Sequence, residues 1–442
     1  MHLYGNLSEI ASLGVLILFA LYLGLYLALF GLLFGIIRRT WSLTAALLIS
    51  PVLWVAIEFA RGRVTGFPWD LLGYTQIDNL TLVGLAPWTG VFGISLVVAA
   101  VNMLWALPMA KLPTTAARSV LLLTGVITAV VLWLQFKGPA IHLPQTHASA
   151  VLLQENLSVG AGVQQEGRDT MLASFAALSH NPNVPENTGN KTPDLVVWPE
   201  SPASLYDSDP VYQSFMEQLA RRYDTPILAE DLGFGPRNSA NTYSLYNSAT
   251  LFKEDGTYGG RYDKMHLVPF GEYVPYKPLF FFAGHLLDGL PFIPGTRRVV
   301  FDDRGHKYGV FICYESIFGD EVRQFVQQGA QVLVNLSDDG WYGDSSAPWE
   351  HLDMARMRAI ENNRWILRAT NTGVTASIDP CGRIVDQMPR HVRGALVARF
   401  NFIDGTTFYT RHGDWIAWIC ATATAALIGA GFLRSRRVGT AQ

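Results

Sequence analysis

Phe311-Ile312-Cys313-Tyr314-Glu315-Ser316 is the stretch on which the reading of this chain turns. An apolar run, Tyr308 to Ile312, ends at a cysteine, and a helical pattern, Ile317 to Gln328, begins just after it. The thiol is therefore expected at a strand-to-helix turn. Partial positive charge and unpaired N–H groups at a helix start lower a thiol's pKa and can hold an oxyanion. A cysteine in such a place is either a packed core thiol or a nucleophile, and the rest of the chain decides between the two.

Only 16% of the 442 residues are charged, against about 25% in an ordinary soluble protein. The mean hydropathy is positive, and a formal net charge of -3 speaks against a nucleic-acid partner. Cys313, Cys381 and Cys420 are too scattered for a disulfide framework or a CxxC metal site. The low charge is concentrated in uncharged windows at about 10–37, 40–57, 82–109, 119–136 and 415–433, each long enough to cross a bilayer. Residues 1–137 thus read as four spans, 138–413 as a globular domain, and 414–442 as a last span with a basic tail. Pro51 is expected to kink the second span, with Pro87 and Pro108 bracketing the third.

If the spans alternate, Arg38, Arg39, Lys111, Arg118, Arg434, Arg436 and Arg437 share one side, against Arg61, Arg63, Lys137 and Arg411 on the other. The more basic side is cytoplasmic, which puts the globular domain outside. Nothing before Glu9 resembles an element that translocates by itself, so further spans are expected upstream of Met1. Arg61 to Trp69, in the outer loop after the second span, reads either as an interfacial aromatic belt or as an arm toward the outer domain.

Past Pro144 the pattern changes to short β-branched runs alternating with helical ones, which argues for an α/β layered domain. Strands are expected at 148–154, 195–198, 226–229, 243–252, 308–312, 332–335, 365–370, 374–379 and 395–400, with helices at 163–179, 210–223, 317–328 and 348–362. Glu254-Asp255-Gly256 and Asp379-Pro380-Cys381-Gly382 look like hairpin turns, which makes Cys381 a turn residue. The polar segment 181–193 reads as a loop.

Two further segments carry chemistry. Leu195-Val196-Val197-Trp198 runs into Pro199-Glu200, so a carboxylate emerges at the end of a buried strand, where it can serve as a general base or as a cap or ion-pair member. Lys264 stands in Arg261 to Pro275, a run too rich in Pro, Gly and aromatics for a solvated charged face. A fixed ammonium stabilises an oxyanion and lowers the pKa of a neighbouring thiol. His351 beside Glu350 has no second histidine at ligand spacing, so no metal is expected.

Trp198-Pro199-Glu200-Ser201, Tyr262-Asp263-Lys264 with His266 to Glu272, and Cys313-Tyr314-Glu315 resemble the catalytic segments of the carbon-nitrogen hydrolase (nitrilase) superfamily. With the spans around them, and with Thr65 to Trp69, Ala347 to His351 and Met354 to Ala359, nearly the whole chain is similar to the membrane family of that superfamily that acylates lipoproteins. The resemblance implies an αββα sandwich attached to a transmembrane helical bundle in a bacterial inner membrane, with the catalytic domain on the periplasmic side. It implies Cys313 as nucleophile, Glu200 as general base and Lys264 as oxyanion stabiliser. Glu272 and Glu315 would be supporting acids, and Tyr314 would place its N–H beside the oxyanion. No cofactor is implied. The donor would be a phosphatidylethanolamine-like phospholipid and the acceptor the α-amine of a diacylglyceryl-cysteine, joined by a thioester on Cys313.

The chain departs from that pattern in lacking a tryptophan after Gln154-Glu155-Asn156, and in carrying Asp338 before Asp339-Gly340-Trp341, where relatives usually have Asn. Asp339 is expected to keep a structural role, and the sequence offers no account of Asp338. Tyr276 to Ile293, with Phe280, Phe281 and Phe282, is too apolar for a solvated loop and reads as packed core or as a lid at the lipid surface; Trp341 and the three phenylalanines are candidate substrate contacts. A membrane-tethered amidase, in which water resolves the thioester, is the alternative. A Cys313–His266 protease is disfavoured because His266 lies two residues from Lys264 in an extended segment.

Overall fold

The structure is a computed structural model that describes residues 8–107, 122, 125, 126, 128, 129, 145–159, 168–180, 192–200, 205–237, 243–274 and 292–439. It divides into two units, residues 1–142 with 411–442 and residues 143–410. The expected span at 119–136 and Phe280 to Phe282 lie largely or wholly outside the described residues.

In the first unit, four described helices are long and apolar enough to cross a membrane: Glu9–Thr40, Leu43–Val64, Ala86–Ala106 and the 415–434 part of Trp415–Gly439. Ser8 and Ser42 cap the first two by accepting from Ala11 N and Ala45 N. The second helix runs on past the expected boundary at Ile57 through Glu58, Arg61 and Arg63. There the Glu58 Oε1 accepts from Trp54 Nε1 at 2.9 Å and from Leu72 N at 2.7 Å. Leu43–Val64 is one helix through Pro51, whereas Gly90, with φ 64°, breaks the helical backbone of the third. The Arg61 to Trp69 arm folds back on this unit: Thr65 Oγ1 bonds Tyr22 and Tyr26 at 2.5 and 2.8 Å, and Phe67 meets Phe19 edge-on at 5.5 Å. At one end of the unit Arg434 stands over Trp41, three residues from Arg38, while Arg63 pairs with Asp414 at 2.9 Å at the other.

The second unit holds two six-stranded sheets. One has the order β12-β1-β2-β3-β4-β5, with β1 Ala148–Gln154, β2 Leu195–Val197, β3 Ile227–Arg237, β4 Tyr243–Phe252, β5 Tyr258–Asp263 and β12 Gly394–Phe400. The other has the order β11-β10-β9-β8-β7-β6, with β6 Val300–Asp303, β7 His306–Ile312, β8 Val332–Ser337, β9 Ile366–Thr370, β10 Ala376–Ile378 and β11 Ile384–Gln387. Each sheet has three parallel strands at its centre, β1-β2-β3 and β7-β8-β9, and antiparallel strands outside them. The period of two along a strand sorts the core. Val151 and Leu153 face Met171, Leu172 and Phe175 of helix Arg168–Ser179, while Ala150 and Leu152 join the core shared with the second sheet and with Val322, Phe325, Leu352 and Ala355 of helices Gly319–Gln327 and Ala347–Asn362. The layers are helix, sheet, sheet, helix, as expected. Full burial of each branched side chain contributes roughly 1.5–3 kcal/mol to this core.

Three strands went unread in the sequence: β5, β6 and β11. Each is an edge strand paired on one side only, and each is short or poor in apolar residues. The helix after Cys313 also starts later than expected. Cys313–Ile317 is a 3₁₀ turn, and the α-helix begins at Gly319.

Candidate active site

The candidate residues come from strand ends. β2 ends at Val197, and Trp198 anchors the chain beyond it: its ring stacks on Phe175 at 4.7 Å and its Nε1 donates to Ser179 Oγ at 3.0 Å. Glu200 then makes a parallel bridge with Thr370 at the end of β9, so the two sheets meet there. Lys264 directly follows β5, held by Lys264 N to Asn247 O at 2.8 Å and Gly295 N to Lys264 O at 2.8 Å. Gly295 is required at that contact, since a Cβ would run into the Asp263 carbonyl.

Lys264 is buried, and its Nζ lies 2.9 Å from Glu272 Oε1 and 3.4 Å from Glu200 Oε1. Asn247 Nδ2 donates to the same two oxygens, at 3.0 and 2.8 Å. Glu272 Oε2 accepts from Val268 N at 2.7 Å, and Glu200 Oε2 from Asp338 N at 2.9 Å. Burial opposes the charge on Lys264, but Glu272 and Glu200 overcome this and hold it well above the usual lysine range. The ammonium is held in place between the two carboxylates.

Cys313 closes β7 with φ 48°, a left-handed conformation that costs a non-glycine residue about 1–2 kcal/mol. Glu315 anchors the turn: Oε2 accepts from Ile312 N at 2.7 Å, and Oε1 accepts from Tyr262 OH at 2.7 Å, Met265 N at 2.7 Å and His266 N at 3.2 Å. Glu315 thereby ties the cysteine turn to the segment that carries Lys264. Burial pushes its carboxyl above the ordinary value. Tyr314 is buried with its ring edge-on to Phe318 at 5.3 Å.

Burial and then the Glu200 charge push the Cys313 thiol well above the ordinary cysteine range, and Lys264 offsets only part of that. This reverses the expectation of a depressed pKa. A buried turn of five residues contributes less than a long helix start would, and the lysine is already neutralised by two carboxylates. A thiol raised in this way favours its protonated form.

Asn247 and Asp338 complete the arrangement. Asn247 had no signal, being one polar residue in a β-run. Asp338 now has an account: Oδ1 accepts from Gly340 N and Thr372 Oγ1, both at 3.0 Å, and Oδ2 from Asn371 Nδ2 at 3.2 Å. Asn371 in turn bonds Leu157 N and O at 2.9 Å each. Asp338 thus knits together the loops after β1, β8 and β9 at the end of the sheets that carries Glu200. Burial raises its carboxyl to about 7. Asp339 is buried against Arg368 and His351. Trp341 is 58% exposed and Trp349 47% exposed, on the segment that follows Asp339. Among the described residues no group of His, Cys, Asp and Glu could hold a metal ion.

Residues 164–404 match the carbon-nitrogen hydrolase family, and residues 1–104 match the apolipoprotein N-acyltransferase N-terminal domain. The chain is 36% identical over 441 residues to the apolipoprotein N-acyltransferase of Geobacter metallireducens, covering 98% of this chain and 82% of that one. It is 33% identical over 455 residues to that of Methylococcus capsulatus (99% and 84%) and 31% identical over 460 residues to that of Shewanella oneidensis (99% and 83%).

Proposed function

Since the chain belongs to the apolipoprotein N-acyltransferase family, we propose that it moves an acyl chain from a phospholipid, phosphatidylethanolamine-like, to the α-amine of a lipoprotein's N-terminal diacylglyceryl-cysteine. The observation that carries the mechanism is the buried Glu200–Lys264–Glu272 cluster, whose charges act on Cys313, itself buried and held at a left-handed φ. As the Cys313 sulfur attacks the donor ester carbonyl, Glu200 takes the thiol proton. The tetrahedral oxyanion is held by Lys264 and the Tyr314 N–H. Collapse breaks the ester C–O bond, and the lysophospholipid oxygen leaves with the proton from Glu200. The acceptor amine then attacks the thioester carbonyl and gives a proton to Glu200. The C–S bond breaks, Glu200 returns that proton to the leaving sulfur, and the amide and the free thiol are formed.

The second unit acts on the extracytoplasmic side of the inner membrane in this reading. In support of it, Arg434 and the Arg38-Arg39 turn lie at the same end of the membrane helices, and an excess of Lys and Arg favours the cytoplasmic side. Mass spectrometry of the full chain with phosphatidylethanolamine, wild type beside Cys313→Ala, tests the function. An acyl mass on the Cys313 peptide that moves to an added diacylglyceryl-cysteine peptide is the expected result. A thioester that decays to free fatty acid whether or not the peptide is present would instead identify a hydrolase.

A further inference from the structure

A second buried polar cluster, to which the acyl-transfer chemistry assigns no role, reaches the backbone of Cys313. His351, from helix Ala347–Asn362, is fully buried with Nε2 3.0 Å from the Cys313 carbonyl oxygen. A carbonyl only accepts, so Nε2 carries the hydrogen. The other face of the ring is held in turn: Nδ1 lies 2.9 Å from Asp339 Oδ1 and 3.1 Å from Arg368 NH2. Arg368 NH2 donates to Asp339 Oδ2 at 2.6 Å, and Arg368 NH1 bonds Asn335, whose Nδ2 donates to Phe311 O at 3.2 Å. Arg368 and His351 hold the Asp339 carboxyl well below the usual range against the opposing effect of burial. Gly373 lets Asp339 approach, since a Cβ there would collide with its carboxylate.

The carbonyl that His351 grips belongs to the same peptide group as the Tyr314 N–H. A trans peptide is planar, so its C=O and N–H point in opposite directions, and fixing one aims the other. Resting on the proposed role of the Tyr314 N–H, we propose that His351 is a positioning residue for the oxyanion site: its hydrogen bond to Cys313 O sets the plane of the 313–314 peptide. A merely packed histidine would not need its donor atom at this particular carbonyl, in a residue held at φ 48°.

The test compares two reactions of the same thiol in the full-length protein. Alkylation of Cys313 by iodoacetamide is a displacement at carbon and forms no oxyanion, whereas thioester formation from phosphatidylethanolamine does. His351→Gln places an amide N–H where Nε2 stands, and His351→Asn does not reach. In His351→Asn, thioester formation should slow about 100-fold, the scale of one lost oxyanion donor, with the donor KM within about twofold and alkylation within about threefold of wild type. His351→Gln should keep acylation within about tenfold of wild type. The proposal is overturned if acylation and alkylation fall together, if Gln is no better than Asn, or if Asn acylates at the wild-type rate. Failure of the nucleophile assignment would show separately, as wild-type protein that forms no thioester.

Discussion

Asp338 donates its backbone N–H to Glu200 Oε2 at 2.9 Å, a contact between the end of β8 in one sheet and the end of β2 in the other. The outer oxygen of the proposed base is therefore fixed by main chain, and its inner oxygen by Asn247 and Lys264. Glu200→Gln can keep an acceptor in this place but cannot take a proton. Thioester formation should fall by about 10²–10⁴, while Glu200→Asp, which withdraws the carboxylate by one methylene, should fall between. Rates from intact-protein mass spectrometry decide, and a Gln variant within tenfold of wild type would remove Glu200 from the mechanism.

Lys264 has two carboxylates and Glu272 is the nearer. In Glu272→Gln the amide oxygen can still accept from Lys264 and Asn247, but an NH₂ group faces the Val268 N–H. The segment after Lys264 should loosen, and acylation should slow roughly tenfold to a hundredfold with the fold retained. Lys264→Met should be worse on both counts, because it leaves two carboxylates facing each other without compensation. Equal activity of Glu272→Gln and wild type would show that Glu272 only solvates.

Glu315 satisfies three backbone N–H groups and one hydroxyl. Tyr262→Phe removes one donor and should cost about 1 kcal/mol, while Glu315→Ala strands buried donors at about 1–3 kcal/mol each. Thermal unfolding should rank wild type, Tyr262→Phe and Glu315→Ala in descending order. An alanine variant as stable as the phenylalanine variant would contradict the anchoring role.

Asp231 lies on β3 opposite Ser248 of β4, and burial pushes its carboxyl from the ordinary range up to about 8. The folded chain keeps a proton there that the unfolded chain gives up above about pH 4. Its contribution to stability is complete below that pH, is lost progressively as the pH rises toward 8, and changes no further above it. Asp231→Asn removes this dependence. Its melting temperature should match wild type below about pH 4, exceed it increasingly as the pH rises, and stand several degrees above it at pH 8–9, on the order expected for a few kcal/mol. A difference that stays constant across that range would be the contrary result.

Much of this was legible in the sequence where one physical signal dominates. Central strands such as β1 and β8 are buried on both faces and show as apolar runs. The turns at Gly256 and Gly382, both with positive φ, were readable as well, although the edge strands they lead into, β5 and β11, were not. The Glu200, Lys264 and Cys313 segments could be recognised because each is an anomaly in its local pattern. Asn247 and His351 were opaque for the opposite reason. A single polar residue on a strand or a helix gives no sign of its partner when the partner comes from another element, as the Cys313 carbonyl does for His351. The direction of the thiol's pKa was also beyond the sequence, because it depends on burial and on how many carboxylates share one lysine.

The helix Trp415–Gly439 has a consequence for biosynthesis. Leu427 and Ile428 complete the packing of Ile37, Ala46, Leu53 and Ile57, and Asp414 and Trp415 bond Arg63 and the Trp88 carbonyl. Yet 268 residues, Leu143 to Thr410, are translated between the two parts of that packing. The ribosome therefore completes the whole hydrolase-like unit before it makes the helix that finishes the packing of the first unit, so the four-helix packing waits for a segment separated from its partners by an entire folded unit.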